Sequence, residues 1–244
     1  MYNQQPSYQA PIYTMADISV EKMNGILRLV YLWMGLGLLT TSLTAVVVAN
    51  SPALFELAYA PGMGIITMVL LIGISIALGI GVTRNWLKPG MAIALFFVYA
   101  IVMGFALSAV VLLAEFNPSA VYSAAGTAAA LFGAMTFVGF TTKMDLSRFG
   151  FFFMAALIGL IIATLINMFL QSSAFDFIIS VAGVLIFTAL TAYDTQKIKM
   201  MANNPAIQAD GSLAVKVSII GALELYLDLI NLFLFLLRIF ASRD

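Results

Sequence analysis

The chain has 244 residues, of which 63% are hydrophobic and only 9% charged, with a formal net charge of zero. A soluble domain is nearer half apolar and a quarter charged, so the composition is that of an integral membrane protein, and the charge balance offers nothing to nucleic acid. There are no cysteines and no histidines. Disulfides, thiol catalysis, Ser-His nucleophiles and imidazole or thiolate metal sites are therefore excluded, leaving carboxylates, hydroxyls, Lys, Arg and backbone for any chemistry.

In chain order, Met1 to Ala16 is polar and lacks the basic start and short apolar core of a signal peptide, so residues 1–22 are expected to form a flexible tail. The rest, 23–244, is expected to be one transmembrane domain. A bilayer core takes about 20 apolar residues per helix. Seven segments meet that length: Leu27–Ala49, Met63–Thr83, Met91–Ala114, Ser119–Phe140, Phe149–Leu170, Phe175–Gln196 and Val217–Leu237. The expected fold class is an all-α membrane protein, a bundle of seven helices. Asn50-Ser51-Pro52, Pro61-Gly62, Lys88-Pro89-Gly90 and Asn117-Pro118 punctuate the connectors, and Asp145 or Ser147 is placed to cap the fifth helix. Lys197 to Lys216 reads as the one long polar connector.

With the N-terminus in the cytoplasm, Lys22, Arg28, Arg84, Lys88, Lys143, Arg148, Lys197, Lys199 and Lys216 all fall inside, and only Arg238 and Arg243 outside. That bias sets the expected orientation, with the C-terminus outside. Glu56, Glu115 and Asp176 would make the outer loops acidic, either to concentrate cations or simply because acids are tolerated there. Gly35 with Gly37, Gly79 with Gly81, Gly104 with Ser108, and Ser123 to Ala130 offer small faces for helix packing. The methionines and Phe runs read as filler, and Tyr31, Trp33, Trp86 and Tyr122 as an interfacial aromatic belt.

The last segment carries Glu224, Asp228 and Asn231, spaced four and three apart and so stacked on one helix face. An ionisable group at membrane depth costs several kcal/mol and normally faces protein or a water-filled path. The sixth segment carries Asp194 near its end, with Thr188, Thr191 and Thr195 on an adjacent stripe. Asp228 lies about 12 residues, roughly 18 Å of rise, into the seventh segment. Asp194 meets it at that depth only if the sixth helix continues past Lys197, which Lys197-Ile198-Lys199-Met200-Met201 permits. Two carboxylates at short range cannot both ionise cheaply, so the pair is expected to titrate as a unit, giving a pH-sensitive gate without histidine. The plain alternative is a protonated acid in an ordinary interhelical hydrogen bond, or one paired with an interfacial arginine. Glu224, Asn231 and Thr191 are candidate pore-lining residues; Glu224 equally well faces water.

Gly221-Ala222-Leu223-x-Leu225-Tyr226-Leu227-Asp228-x-Ile230-Asn231-Leu232-Phe233-Leu234-x-Leu236-Leu237-Arg238 resembles the C-terminal signature of the Bax inhibitor-1 (transmembrane Bax-inhibitor-motif) family. Thr191-Ala192-Tyr193-Asp194-Thr195-Gln196-Lys197, Gly139-Phe140-Thr141-Thr142-Lys143-x-Asp145-Leu146-Ser147 and Ala156-Leu157-Ile158-Gly159 are similar to its bacterial branch. The resemblance implies a seven-helix fold with the last helix central and a pH-regulated calcium leak in the inner membrane. Asp194 and Asp228 match the paired aspartates that close the pore when they share a proton, and they would be the transient contact for calcium, the permeant ion; no cofactor is implied. An arginine on the second helix latches the pair in some members, and Arg84 is the position that would carry this over. Glu224 stands where relatives have a small or polar residue.

Three other readings compete. A non-conducting modulator would partner a membrane protease or another membrane complex. An intramembrane aspartyl protease would use Tyr193-Asp194, but Leu225-Tyr226-Leu227-Asp228 lacks the glycines of its second motif, so the chain is read as not an enzyme. A proton-coupled transporter would show an inverted repeat or broken helices, and neither stands out.

Overall fold

The computed structural model describes residues 15–242. Arg243 and the first fourteen residues of the expected tail lie outside them. Among the described residues there is no strand, and seven helical stretches are long and apolar enough to cross a membrane: 19–49, 63–83, 89–116, 118–141, 146–170, 173–202 and 211–241. The helices are α1 (Met15–Ala49), α2 (Pro52–Ala58), α3 (Met63–Thr83), α4 (Pro89–Ala106), α5 (Ser108–Phe116), α6 (Pro118–Thr141), α7 (Gly150–Leu170), α8 (Ser173–Ala202), α9 (Pro205–Ala209) and α10 (Gly211–Ala241). A 3₁₀ turn, Leu146–Phe149, leads into α7.

The starts follow local chemistry. Asn117, Ser172 and Asp210 cap α6, α8 and α10 by accepting from backbone N–H groups in the first turn. Asp145 does the same for the turn before α7, taking the Ser147 N–H at 3.0 Å. Proline opens α2, α4, α6 and α9, where its missing N–H costs nothing.

Four features depart from the expectation. Residues 15–22 are already helical, as the first turns of α1. The polar connector is shorter than Lys197 to Lys216, because α8 runs on to Ala202 and α10 starts at Gly211. The third span breaks at Leu107 between α4 and α5. Tyr59, from beyond α2, satisfies that break: its hydroxyl accepts the Ala109 N–H at 2.9 Å and donates to the Ala106 carbonyl at 3.2 Å. Finally, Trp86 and Tyr122 are exposed as a belt would be, but Tyr31 and Trp33 bury their polar atoms inside the bundle.

Helix α10 is central. It packs against α1, α3, α4, α6 and α8. Its Tyr226, fully buried, meets Phe96 and Tyr99 of α4 edge-on and shares a 2.7 Å hydrogen bond with Thr41 of α1. Small residues allow the close approaches: a Cβ at Gly104 would fall on the Thr41 carbonyl, and one at Gly139 on that of Ala192. Gly35 and Gly79, also read as packing positions, face open space.

Candidate functional site: a carboxylate pair between α8 and α10

Two glycines set the antiparallel register of α8 against α10. Gly183 of α8 receives the Phe235 ring, and Gly221 of α10 receives the Ile198 side chain. Between these points the extended α8 brings Asp194 opposite Asp228, as the continuation past Lys197 requires. Asp228 is 3% exposed, and Asp194 is partly buried. The two carboxyls lie within hydrogen-bonding reach of one another. Oδ2 of Asp228 is buried and has no protein donor. A carboxylate facing a carboxylate offers acceptors only, and one proton between them turns that contact into a hydrogen bond.

The same register puts Lys197, three residues beyond Asp194, opposite Glu224, four residues before Asp228. Lys197 Nζ donates to Glu224 Oε1 at 2.6 Å. The other Glu224 oxygen, Oε2, is buried without a partner. Glu224, its side chain still 25% exposed, is therefore tied to α8 rather than free in water. In the sequence Lys197 reads as an inside charge that closes the Asp194 motif and opens the polar connector; setting Asp194 against Asp228 in antiparallel register pairs it with Glu224.

The remaining site residues fall elsewhere or are occupied. Arg84 is exposed at the end of α3 and stacks over Trp86, 5.5 Å from the ring centre, so the structure does not bring it to the aspartates. The cation beside the pair is Lys197. Thr191 is fully buried and donates to the Phe187 carbonyl, and Asn231 donates to that of Leu227, so each spends its donor within its own helix. Arg238 pairs with Asp176 at 3.8 Å and stacks on Phe235, away from Asp228. Among the described residues no three carboxylates converge as a metal centre, so Asp194 and Asp228 offer at most a two-acid contact.

Two further polar features depend on partners that spacing along the chain does not reveal. Tyr31 of α1 brings a buried hydroxyl close to those of Thr136 on α6 and Thr195 on α8, and none of the three has a hydrogen-bond partner among the described residues. Lys216 of α10 is 5% exposed and donates at 2.5 Å to Asn85, whose φ of 56° turns the chain sharply after α3.

Residues 23–244 match the family model described as Inhibitor of apoptosis-promoting Bax1. The chain belongs to the Bax inhibitor-1 family. Among its relatives, the inner membrane protein YbhL of Escherichia coli K12 is 40% identical over 214 residues, covering 88% of this chain and 90% of the relative. The uncharacterized protein RP147 of Rickettsia prowazekii is 38% identical over 214 residues, covering 88% of each chain. The uncharacterized membrane protein SpyM3_0260 of Streptococcus pyogenes is 34% identical over 242 residues, covering 96% of this chain and 98% of the relative. None of these names states an activity. The chain is thus a Bax inhibitor-1 family membrane protein whose central helix carries one half of a carboxylate pair.

Proposed function

We propose that the protein is a proton-gated cation leak, with calcium as the permeant ion, in a bacterial inner membrane. The inner-membrane location follows the name of the YbhL relative. The orientation follows the distribution of Lys and Arg, with the N-terminus in the cytoplasm and the C-terminus outside.

The observation that carries this reading is the buried contact of Asp194 and Asp228 across two antiparallel spans, with one Asp228 oxygen left without a donor. A proton held between the carboxyls links α8 to α10 and keeps the bundle shut. When it leaves, two like charges face each other at low dielectric, where their repulsion is far stronger than in water. The charges then separate or recruit a cation, and either event opens the site to ions. The sign follows: proton loss opens, so flux rises as pH rises. No bond is made or broken in the ion's passage, and the reading is non-enzymatic.

The test is purified protein in liposomes with a trapped calcium dye, swept over about pH 5 to 9 so that a coupled carboxyl pair is covered from both sides. Flux above that of empty liposomes, rising with pH and altered by Asp194→Asn or Asp228→Asn, supports the reading. No flux above empty liposomes at any pH overturns it and turns attention to a non-conducting role beside a membrane protease or another complex.

A further inference from the structure

Around the aspartate pair, charge is unevenly matched. Asp194, Glu224 and Asp228 bring three carboxyls to facing turns of α8 and α10, and Lys197 is the one ammonium among them. Its charge acts on Asp194 and Asp228 as well as on its direct partner Glu224. The ammonium nevertheless leaves acceptors unused: Glu224 Oε2 and Asp228 Oδ2 are both buried without a donor, the latter on a side chain only 3% exposed. Asp228 therefore keeps an acceptor for a cation, Glu224 adds negative charge one turn away, and Lys197 is already tethered beside both.

We infer that Lys197 is the resident counter-ion of this cluster and sets how tightly a divalent cation is held there. The inference rests on the leak reading for what the ion does next, but not for its binding. A lysine ammonium is a compact point charge on a flexible four-carbon stem, so it can turn between Glu224 and the aspartates without leaving. Tethering gives it a high effective concentration against any free ion. With Lys197 in place, three ionised carboxyls carry a net charge of −2, and a divalent ion neutralises them; without it they carry −3 and hold the ion harder. Conduction requires a site strong enough to enter and weak enough to leave. Lys197 supplies the weakness.

The experiment is equilibrium binding of radioactive calcium to the whole protein in lipid nanodiscs at alkaline pH. Lys197→Met is expected to tighten binding about tenfold, and Glu224→Gln, which frees the ammonium for Asp194, to weaken it about tenfold, as unit charges at this range dictate. The double variant Lys197→Met/Glu224→Gln keeps the net charge and is expected within about threefold of the parent by the same reasoning. The exchanged pair Lys197→Glu/Glu224→Lys returns the ammonium to the cluster from the other helix and restores parental binding. Should Lys197→Met fail to fold, the Glu224→Gln and exchanged-pair arms carry the same test. Unchanged binding in Glu224→Gln, or an exchanged pair as tight as Lys197→Met, overturns the inference. Altered binding without flux in the parent protein leaves Lys197 its role and removes the leak.

Discussion

Helices α7 and α10 are both apolar enough to span a bilayer, and the stretch containing α7 is the more apolar of the two. Yet in the apolar 18-residue run of each, only 6% is buried in the bundle for the α7 stretch, against 61% for α10. Of α7's own residues only Leu160 is buried, while Phe151, Phe152 and Phe169 stand out on its surface. Helix α10 buries Lys216, Ser218, Tyr226 and Asp228. The contrast shows that apolarity does not sort the middle of a membrane bundle from its rim, because lipid tails accept Leu and Phe as readily as protein does. Polar side chains do the sorting, since they need partners that lipid lacks.

The largest expected effect is steric. Gly221→Leu forces a side chain into Ile198 at the α8–α10 contact and is expected to cost about 3 kcal/mol, with a matching loss of thermal stability in detergent. Gly159→Leu on α7 meets open space and is expected to stay within about 0.5 kcal/mol of the parent. Equal losses in the two variants would erase the distinction between centre and rim.

A smaller effect sharpens the rim side. The Asp145 carboxylate accepts from the Ser147 hydroxyl at 2.5 Å and from the Ser147 N–H at 3.0 Å, which holds it below the usual aspartate range. A depressed carboxyl contributes stability above its unfolded value and loses it as pH falls through the folded one. Asp145→Ala is therefore expected to speed hydrogen exchange at the Ser147 amide in the turn before α7 at neutral pH, with the difference from the parent vanishing in acid. Exchange in α10 should not change in either condition.

Much of this was legible in the sequence. Length and apolarity gave the seven spans, and the acids at helical spacing marked α10 as a helix that could not face lipid. The continuation of α8 past Lys197 followed from what Asp194 needed in order to meet Asp228. What stayed hidden depends on partners far apart in the chain. The break at Leu107 carries no proline or adjacent glycine and is held by Tyr59, which no local pattern reveals. Tyr31 and Trp33 bury their polar atoms inside the bundle, a contact that position near a segment end does not reveal. Arg84 was a latch by resemblance alone, and its guanidinium lies on Trp86 instead. Glu224 was the least clear of the acids, and register alone explains it, because its partner Lys197 lies on the other helix.

The central claim is that Asp194 and Asp228 act as one unit. Calcium flux at fixed pH through the parent, Asp194→Asn, Asp228→Asn and the double variant tests it most directly, because interacting sites are non-additive and independent ones add. The double variant is predicted to match either single one. Two separate effects that sum in the double variant would contradict the shared-proton pair.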